Sequence, residues 1–131
     1  PHGLAVPRHV HTHEDEAFYV LDGEVSMHIG DEVIGAIAGS FLWGPRTVPH
    51  AFRIESETAK LLVISTPGGF DRFFDTGTAA AAPNLPPPAA NPPDLNAIVV
   101  AAHEHGVDVI GPPPRPSERE LEQRLVGCSD A

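Results

Sequence analysis

Histidine recurs at every second position in the run Arg8-His9-Val10-His11-Thr12-His13, and a carboxylate, Glu16, follows shortly after. A β-strand turns successive side chains to opposite faces, so as a strand this run presents His9, His11 and His13 on one side. Beyond Glu16, Phe18 and Val20 continue an apolar stripe of period two as far as Asp22-Gly23, which reads as a hairpin turn. Imidazoles two residues apart, with a carboxylate close by, can converge on one cation from a curved sheet. That is ligand chemistry for a borderline transition metal. A second stretch, Gly39-Ser40-Phe41-Leu42-Trp43-Gly44-Pro45-Arg46-Thr47-Val48-Pro49-His50, offers a further imidazole.

The two stretches resemble the two signature motifs of the cupin superfamily of small β-barrels. The first motif runs Gly, five residues, His-x-His, three or four residues, Glu, six residues, Gly, and Gly3, His9, His11, Glu16 and Gly23 occupy each of those positions. The second runs Gly, five residues, Pro-x-Gly, two residues, His, three residues, Asn. Gly39, Pro45 and His50 match it, while Thr47 stands at the middle Gly and Ile54 at the final Asn. Both departures fall at turn and strand positions, so they are expected to weaken turn geometry rather than the metal site. The resemblance covers about residues 3–67. The details of His11-Thr12-His13-Glu14-Asp15-Glu16-Ala17-Phe18-Tyr19-Val20-Leu21 look most like the quercetin-dioxygenase-like single-domain cupins. The resemblance implies a mainly β fold, a jelly-roll barrel with short C-terminal helices. It also implies one divalent metal held by His9, His11, Glu16 and His50.

A polar strand facing water would carry alternating histidines without any metal. The continuation into Phe18 and Val20 argues against that, because this face is expected to point into the barrel. Burying three imidazoles and a carboxylate without partners costs roughly 2–7 kcal/mol per group, a penalty that a cation removes. A register using His11 and His13 leaves only two residues before Glu16, too few for the motif. His13 is therefore read as solvent-facing or as an outer partner of a ligand. Glu14 and Asp15 read as solvated turn carboxylates.

Other residues are weighed the same way. His28 is out of phase with Val25, Met27 and Ile29 and is expected outside the barrel. Phe18, Tyr19, Met27, Phe41, Trp43 and Phe52 are candidates for a cavity lining, though aromatic strand residues commonly form plain core. His103-Glu104-His105 looks ligand-like, but two residues apart on a helix diverge by about 200°. These histidines suit the last turn of a helix, where a proton on the ring favours the dipole. Cys128 has no second cysteine to pair with and no neighbour that would activate it.

The elements that must position these groups follow from the alternation. Strands are expected over 8–13 and 16–21, then around Val25 to Ile29, Val33 to Ala36, Phe41 to Trp43 and Val48 to Ile54. Lys60-Leu61-Leu62-Val63-Ile64-Ser65 is apolar on both faces and reads as a central strand. Residues 1–76 thus make the barrel. The chain opens two residues before Gly3, where such barrels carry earlier strands, so either it is a fragment or processed form or another subunit completes the barrel.

Phe70, Phe73 and Phe74 are expected to anchor the following tail to the barrel. Residues 77–93 form a Pro/Ala-rich linker. Residues 94–131 are a helical extension. In it Asp94 caps a helix whose Leu95, Ile98, Val99 and Ala102 share a stripe, Gly106 stops it, and Ser117 with Glu120 opens a second. The helix over 94–106 is expected to dock on the chain's own barrel or a neighbour's, away from the metal ligands.

A length of 131 residues suits one domain. The formal net charge of −10 repels phosphate backbones, so nucleic acid is not expected as a partner. No apolar run approaches about 18 residues and no charged-then-apolar leader opens the chain, so neither membrane insertion nor secretion is expected. The lone cysteine makes the cytoplasm the default compartment. A barrel with open strand edges is expected to pair as a homodimer.

Three imidazoles and a carboxylate leave open positions on a six-coordinate Fe, Mn, Co or Ni ion, and Cu or Zn are further choices. A carboxylate can leave the metal and accept a substrate proton, which makes Glu16 the expected catalytic residue. The resemblance implies a dioxygenase acting on a small aromatic, flavonol-like or enolic substrate. An isomerase or cyclase that does not use oxygen, and a non-catalytic small-molecule-binding barrel, are the alternatives.

Overall fold

The computed structural model describes residues 1–75 and 95–116. Its elements are β1 (Arg8–His11), β2 (Asp15–Asp22), β3 (Glu24–Ile29), β4 (Glu32–Ile37), β5 (Phe41–Gly44), β6 (His50–Ile54), β7 (Lys60–Thr66), α1 (Asp71–Asp75), α2 (Leu95–Glu104) and β8 (Val107–Gly111). The fold is mainly β with antiparallel sheets, as the alternation predicts. The linker over 77–93, the Asp94 cap, the helix opened by Ser117 and Glu120, and Cys128 lie outside the described residues.

Two sheets face each other. One has the order β4-β3-β6-β1-β8 and the other β5-β2-β7. The inward positions of each strand meet between them, where Phe18, Val20, Val25, Met27, Ala36, Leu42 and Ile54 form the buried core. Met27, Val20 and Val25 are at most 1% exposed. Gly23 and Gly30 take positive φ at the turns joining β2 to β3 and β3 to β4, a conformation that only glycine adopts without strain. A Cβ on Gly23 would also collide with the Thr58 carbonyl.

Three expectations need correction. Among the described residues, β7 is an edge strand paired only with β2. Its inward side faces the barrel interior, but Leu62 and Ile64 on the other side are exposed. Being apolar on both faces therefore did not mean burial on both within this chain. The second concerns β8, which the sequence reading passed over. Gly106 ends α2 with φ 78°, and the chain turns at once into a strand that pairs antiparallel with β1 and extends the larger sheet. The alternation Val107, Val109 against Asp108, Ile110 was present but short. The third is the position of α2. Instead of lying away from the histidines, it lays Ile98, Val99 and Ala102 along the cavity that His9, His11 and Glu16 also line.

Candidate metal centre

β1 and β6 are antiparallel neighbours, and their register places His9 opposite His50. β2 lies in the facing sheet, and its alternation turns Glu16, Phe18 and Val20 inward. Each of His9, His11, Glu16 and His50 can offer one ligand atom, and these four atoms lie within 4.8 Å of one another. The residues singled out by spacing are thus brought together. His11, Glu16 and His50 are buried, with His50 fully so. His13 is exposed at the β1–β2 turn, beside the Thr12 hydroxyl and above Gly106.

The outer partners of the three imidazoles are well defined. His9 Nδ1 donates to the Pro7 carbonyl at 2.8 Å, and His50 Nδ1 donates to the Val48 carbonyl at 3.1 Å. His11 Nδ1 faces the Glu14 carboxylate at 3.5 Å. Tying Nδ1 to an acceptor fixes the tautomer and leaves Nε2 as a lone-pair donor aimed into the site. Glu14 is 7% exposed, so it is not the solvated turn carboxylate expected from sequence. Asp15 does turn outward, where it takes both the backbone N–H and the guanidinium of Arg46. That pairing holds its carboxyl below the usual carboxylate range, the side-chain hydrogen bond being the main cause.

With Nδ1 carrying the proton, Nε2 of His50 lies 3.2 Å and Nε2 of His11 3.5 Å from the same oxygen, Glu16 Oε2. Lone pairs would then face a carboxylate across a buried gap with no hydrogen between them. His11 Nε2 has no hydrogen-bond partner at all. A buried, unpartnered acceptor of this kind costs free energy, and a cation bound to all four groups removes the conflict. The donor set of three imidazoles and one carboxylate suits a divalent transition metal.

Protonation states agree with that fit. Burial pushes the His9 pKa down to about 4, and the hydrogen bond to Pro7 offsets this only in part, so the ring is neutral at neutral pH. Burial opposes ionisation of the Glu16 carboxyl, but the surrounding imidazoles, His50 first among them, outweigh it and hold the group below its ordinary value. Its second oxygen, Oε1, accepts a bond from Ser65 Oγ at 3.2 Å.

The site opens into a cavity of about 840 Å³ between the sheets and the two helices. Phe18, Phe52 and Val63 line its floor, and Phe70, Phe73 and Phe74 form an aromatic wall. Phe70 meets His11 edge-on at 4.8 Å and stacks parallel to Phe73 at 5.3 Å. Among the described lining residues there is no Lys or Arg, and Asp71 adds a carboxylate at the rim. The tail aromatics do anchor to the barrel, but over the site itself.

Several other assignments are resolved by position. Phe18 and Phe52 line the cavity, Met27 belongs to the core, and Tyr19, Phe41 and Trp43 face outward. His28 sits outside the core stripe, as its phase predicts. His103 pairs with Asp108 at 2.7 Å and His105 turns back to the Ala101 carbonyl, so the two do not converge. Glu14 and Ser65 were missed as partners of the site. Glu14 had a weak signal, an acid three positions after His11, whereas nothing local marks Ser65. Its role comes from the β2–β7 register, which sets it opposite Glu16.

Residues 1–65 match the model of the cupin domain. Over 76 residues the chain is 33% identical to quercetin 2,3-dioxygenase of Bacillus subtilis (strain 168), covering 58% of this chain and 23% of that enzyme. The chain therefore spans about a quarter of the length of this curated relative. Among solved structures, KdgF from Halomonas sp. superimposes with a TM-score of 0.52 at 18% identity, covering 54% of this chain and 64% of that one. TT1209 from Thermus thermophilus is 37% identical with a TM-score of 0.48, covering 50% of this chain and 64% of that one. No helix among the described residues is long and apolar enough to cross a membrane.

Proposed function

The chain belongs to the cupin family through its residues 1–65, and from that premise we propose that it is a metal-dependent dioxygenase of small, uncharged aromatic or enolic molecules. The observation that carries this reading is the junction of two features in one place. Four donors converge, one of them the unpartnered His11 Nε2, and three of them, His9, His11 and Glu16, line an apolar, aromatic-walled cavity. The likeness to a quercetin 2,3-dioxygenase over 76 residues supports the choice of reaction class. When bound, a divalent transition metal such as Fe, Ni, Mn, Co or Cu supplies Lewis acidity toward an enol or phenol oxygen and the redox chemistry that dioxygen needs.

The chain's own residues supply the rest. Phe70 and Phe73 offer parallel faces on which a flat substrate stacks, and Phe18 and Phe52 exclude water beneath it. Glu16 accepts the substrate's hydroxyl proton at Oε2, the oxygen turned toward the histidines. Ser65 holds Oε1, so the carboxylate moves about a fixed point. Lacking any Lys or Arg among its described lining, and bearing Asp71, the cavity disfavours carboxylates and phosphates. An intracellular site of action accords with the single cysteine.

Oxygen-electrode measurement tests the proposal. Metal-loaded protein given a flavonol or a simpler hydroxylated aromatic is expected to consume oxygen in step with substrate loss. Turnover that proceeds equally well without oxygen points to an isomerase or cyclase. Tight binding with no turnover under either condition points to a binding protein.

A further inference from the structure

The cavity has two sides of different chemistry, and sheet order sorts them. In the larger sheet β1 lies between β6 and β8. β6 brings Phe52 to one side of His9 and His11. β8 brings Val107 and Val109 to the other, Val107 paired with His11 and Val109 with His9. α2 packs on β8 and adds Ile98, Val99 and Ala102 to that second side. The first side is aromatic, since Phe18 meets Phe52 at 6.2 Å and Phe70 stands edge-on to His11. The second is aliphatic, with no polar side chain among these five residues. The match to the cupin domain ends at residue 65, so the aliphatic side is built from chain beyond the matched barrel.

We propose that the site takes a hydroxylated ring bearing an aliphatic chain, the ring against the phenylalanines beside the metal ligands and the chain along β8 and α2. This rests on the reading of the cavity as a substrate site, and not on the use of oxygen. Size is one argument. At about 840 Å³ the cavity lies toward the upper end of the range of about 300–1,000 Å³ for small-molecule sites, more than one flat ring system needs. Length is another. Gly111 continues the lining of β8, and from Val107 to Gly111 the strand runs roughly 13 Å at about 3.3 Å per residue, room for a chain of several carbons. Ile98 and Val99 are 42% and 43% exposed, so they stay wet until an apolar group covers them. With no Lys or Arg among the described lining residues, the far end of the chain is uncharged.

Isothermal titration of the full chain, loaded with redox-inert zinc and kept free of oxygen, compares catechol with catechols carrying an alkyl chain from methyl to hexyl. Affinity is expected to rise by about fourfold per methylene over the first several carbons. Ile98→Asp and Val99→Asp, each at a half-exposed position that the fold tolerates, should flatten that rise. Phe70→Ala should weaken every member of the series by a similar factor and keep the rise, because Phe70 faces the ring. Val33→Glu, on an exposed position of β4 outside the cavity lining, should change neither. Catechol that binds while the series stays flat overturns the proposal and leaves the substrate site standing. A rise that persists undiminished in both α2 variants overturns it as well, since the chain then lies elsewhere. If no member binds, catechol included, the substrate-site reading falls and the proposal with it.

Discussion

His9 and His50 stand directly opposite each other on paired antiparallel strands, their ring centres 4.5 Å apart and their planes at 65°. Each donates Nδ1–H to a backbone carbonyl two residues before it, Pro7 for one and Val48 for the other. The same local device thus orients both rings from opposite sides of the site. Both carbonyls lie just ahead of the strand that carries their histidine, Pro7 before β1 and Val48 before β6, so the orientation is set by the local backbone.

That preorganisation makes a first prediction. Protein purified without added metal is expected to hold about one equivalent of a divalent transition metal by elemental analysis. His50→Ala should weaken binding at least about tenfold, because it also leaves Glu16 Oε2 without its 3.2 Å neighbour. Full metal content in this variant would remove His50 from the ligand set.

Glu16 is both a ligand and the proposed proton acceptor, and the two roles separate when turnover is expressed per bound metal. Glu16→Gln keeps the shape and loses the basicity, so turnover per metal should fall by roughly two to four orders of magnitude. A fall in metal content with unchanged turnover per metal would confine Glu16 to ligation.

Stability of the metal-free protein should depend on pH through His9. Folded His9 has its pKa lowered to about 4, against an ordinary 6.5, chiefly by burial. Between those values the unfolded chain binds more protons than the folded one, so stability falls as pH falls. The loss across the window should reach at most about 3 kcal/mol. Urea titrations of chelator-treated protein at several pH values check this, and His9→Phe should flatten the slope over the same range.

Thr47 has a φ of 67°, a left-handed conformation that is strained for a β-branched residue. Thr47→Gly should stabilise the fold by about 1 kcal/mol. Its N–H bonds to the His11 carbonyl at 2.8 Å and remains in the variant, so metal affinity should not change. Denaturation midpoints with and without metal measure both effects, and an unchanged midpoint would mean that the surrounding loop already absorbs the strain.

The cavity's charge gives a last expectation. A neutral hydroxylated aromatic should bind at least about tenfold more tightly than its carboxylated analogue, and Asp71→Lys should narrow the difference. Isothermal titration of the metal-loaded protein with the two compounds compares them directly. Equal affinities would mean that the rim carboxylate is too solvated to act.

The four convergent residues were legible in the sequence because strand alternation is a local rule. Period two puts His9 and His11 on one face and Glu16 on the same face as Phe18, whatever the rest of the chain does. Matching two spaced motifs then joined His50 to them. The same rule placed Met27 in the core and His28 outside it, and the Asp22-Gly23 pair marked the first hairpin turn. What local rules do not contain is which strand lies beside which. Glu14 became a buried partner of His11 only when the β1–β2 turn closed, and Ser65 reached Glu16 only through the β2–β7 register. The fate of β7 shows the limit most plainly. Its residues announce that both faces are apolar, but whether a face meets its own barrel, another copy or water depends on sheet order, which is a property of the assembled fold. Likewise α2 announces an apolar stripe, and only the pairing of β8 with β1 carries that stripe over the metal ligands.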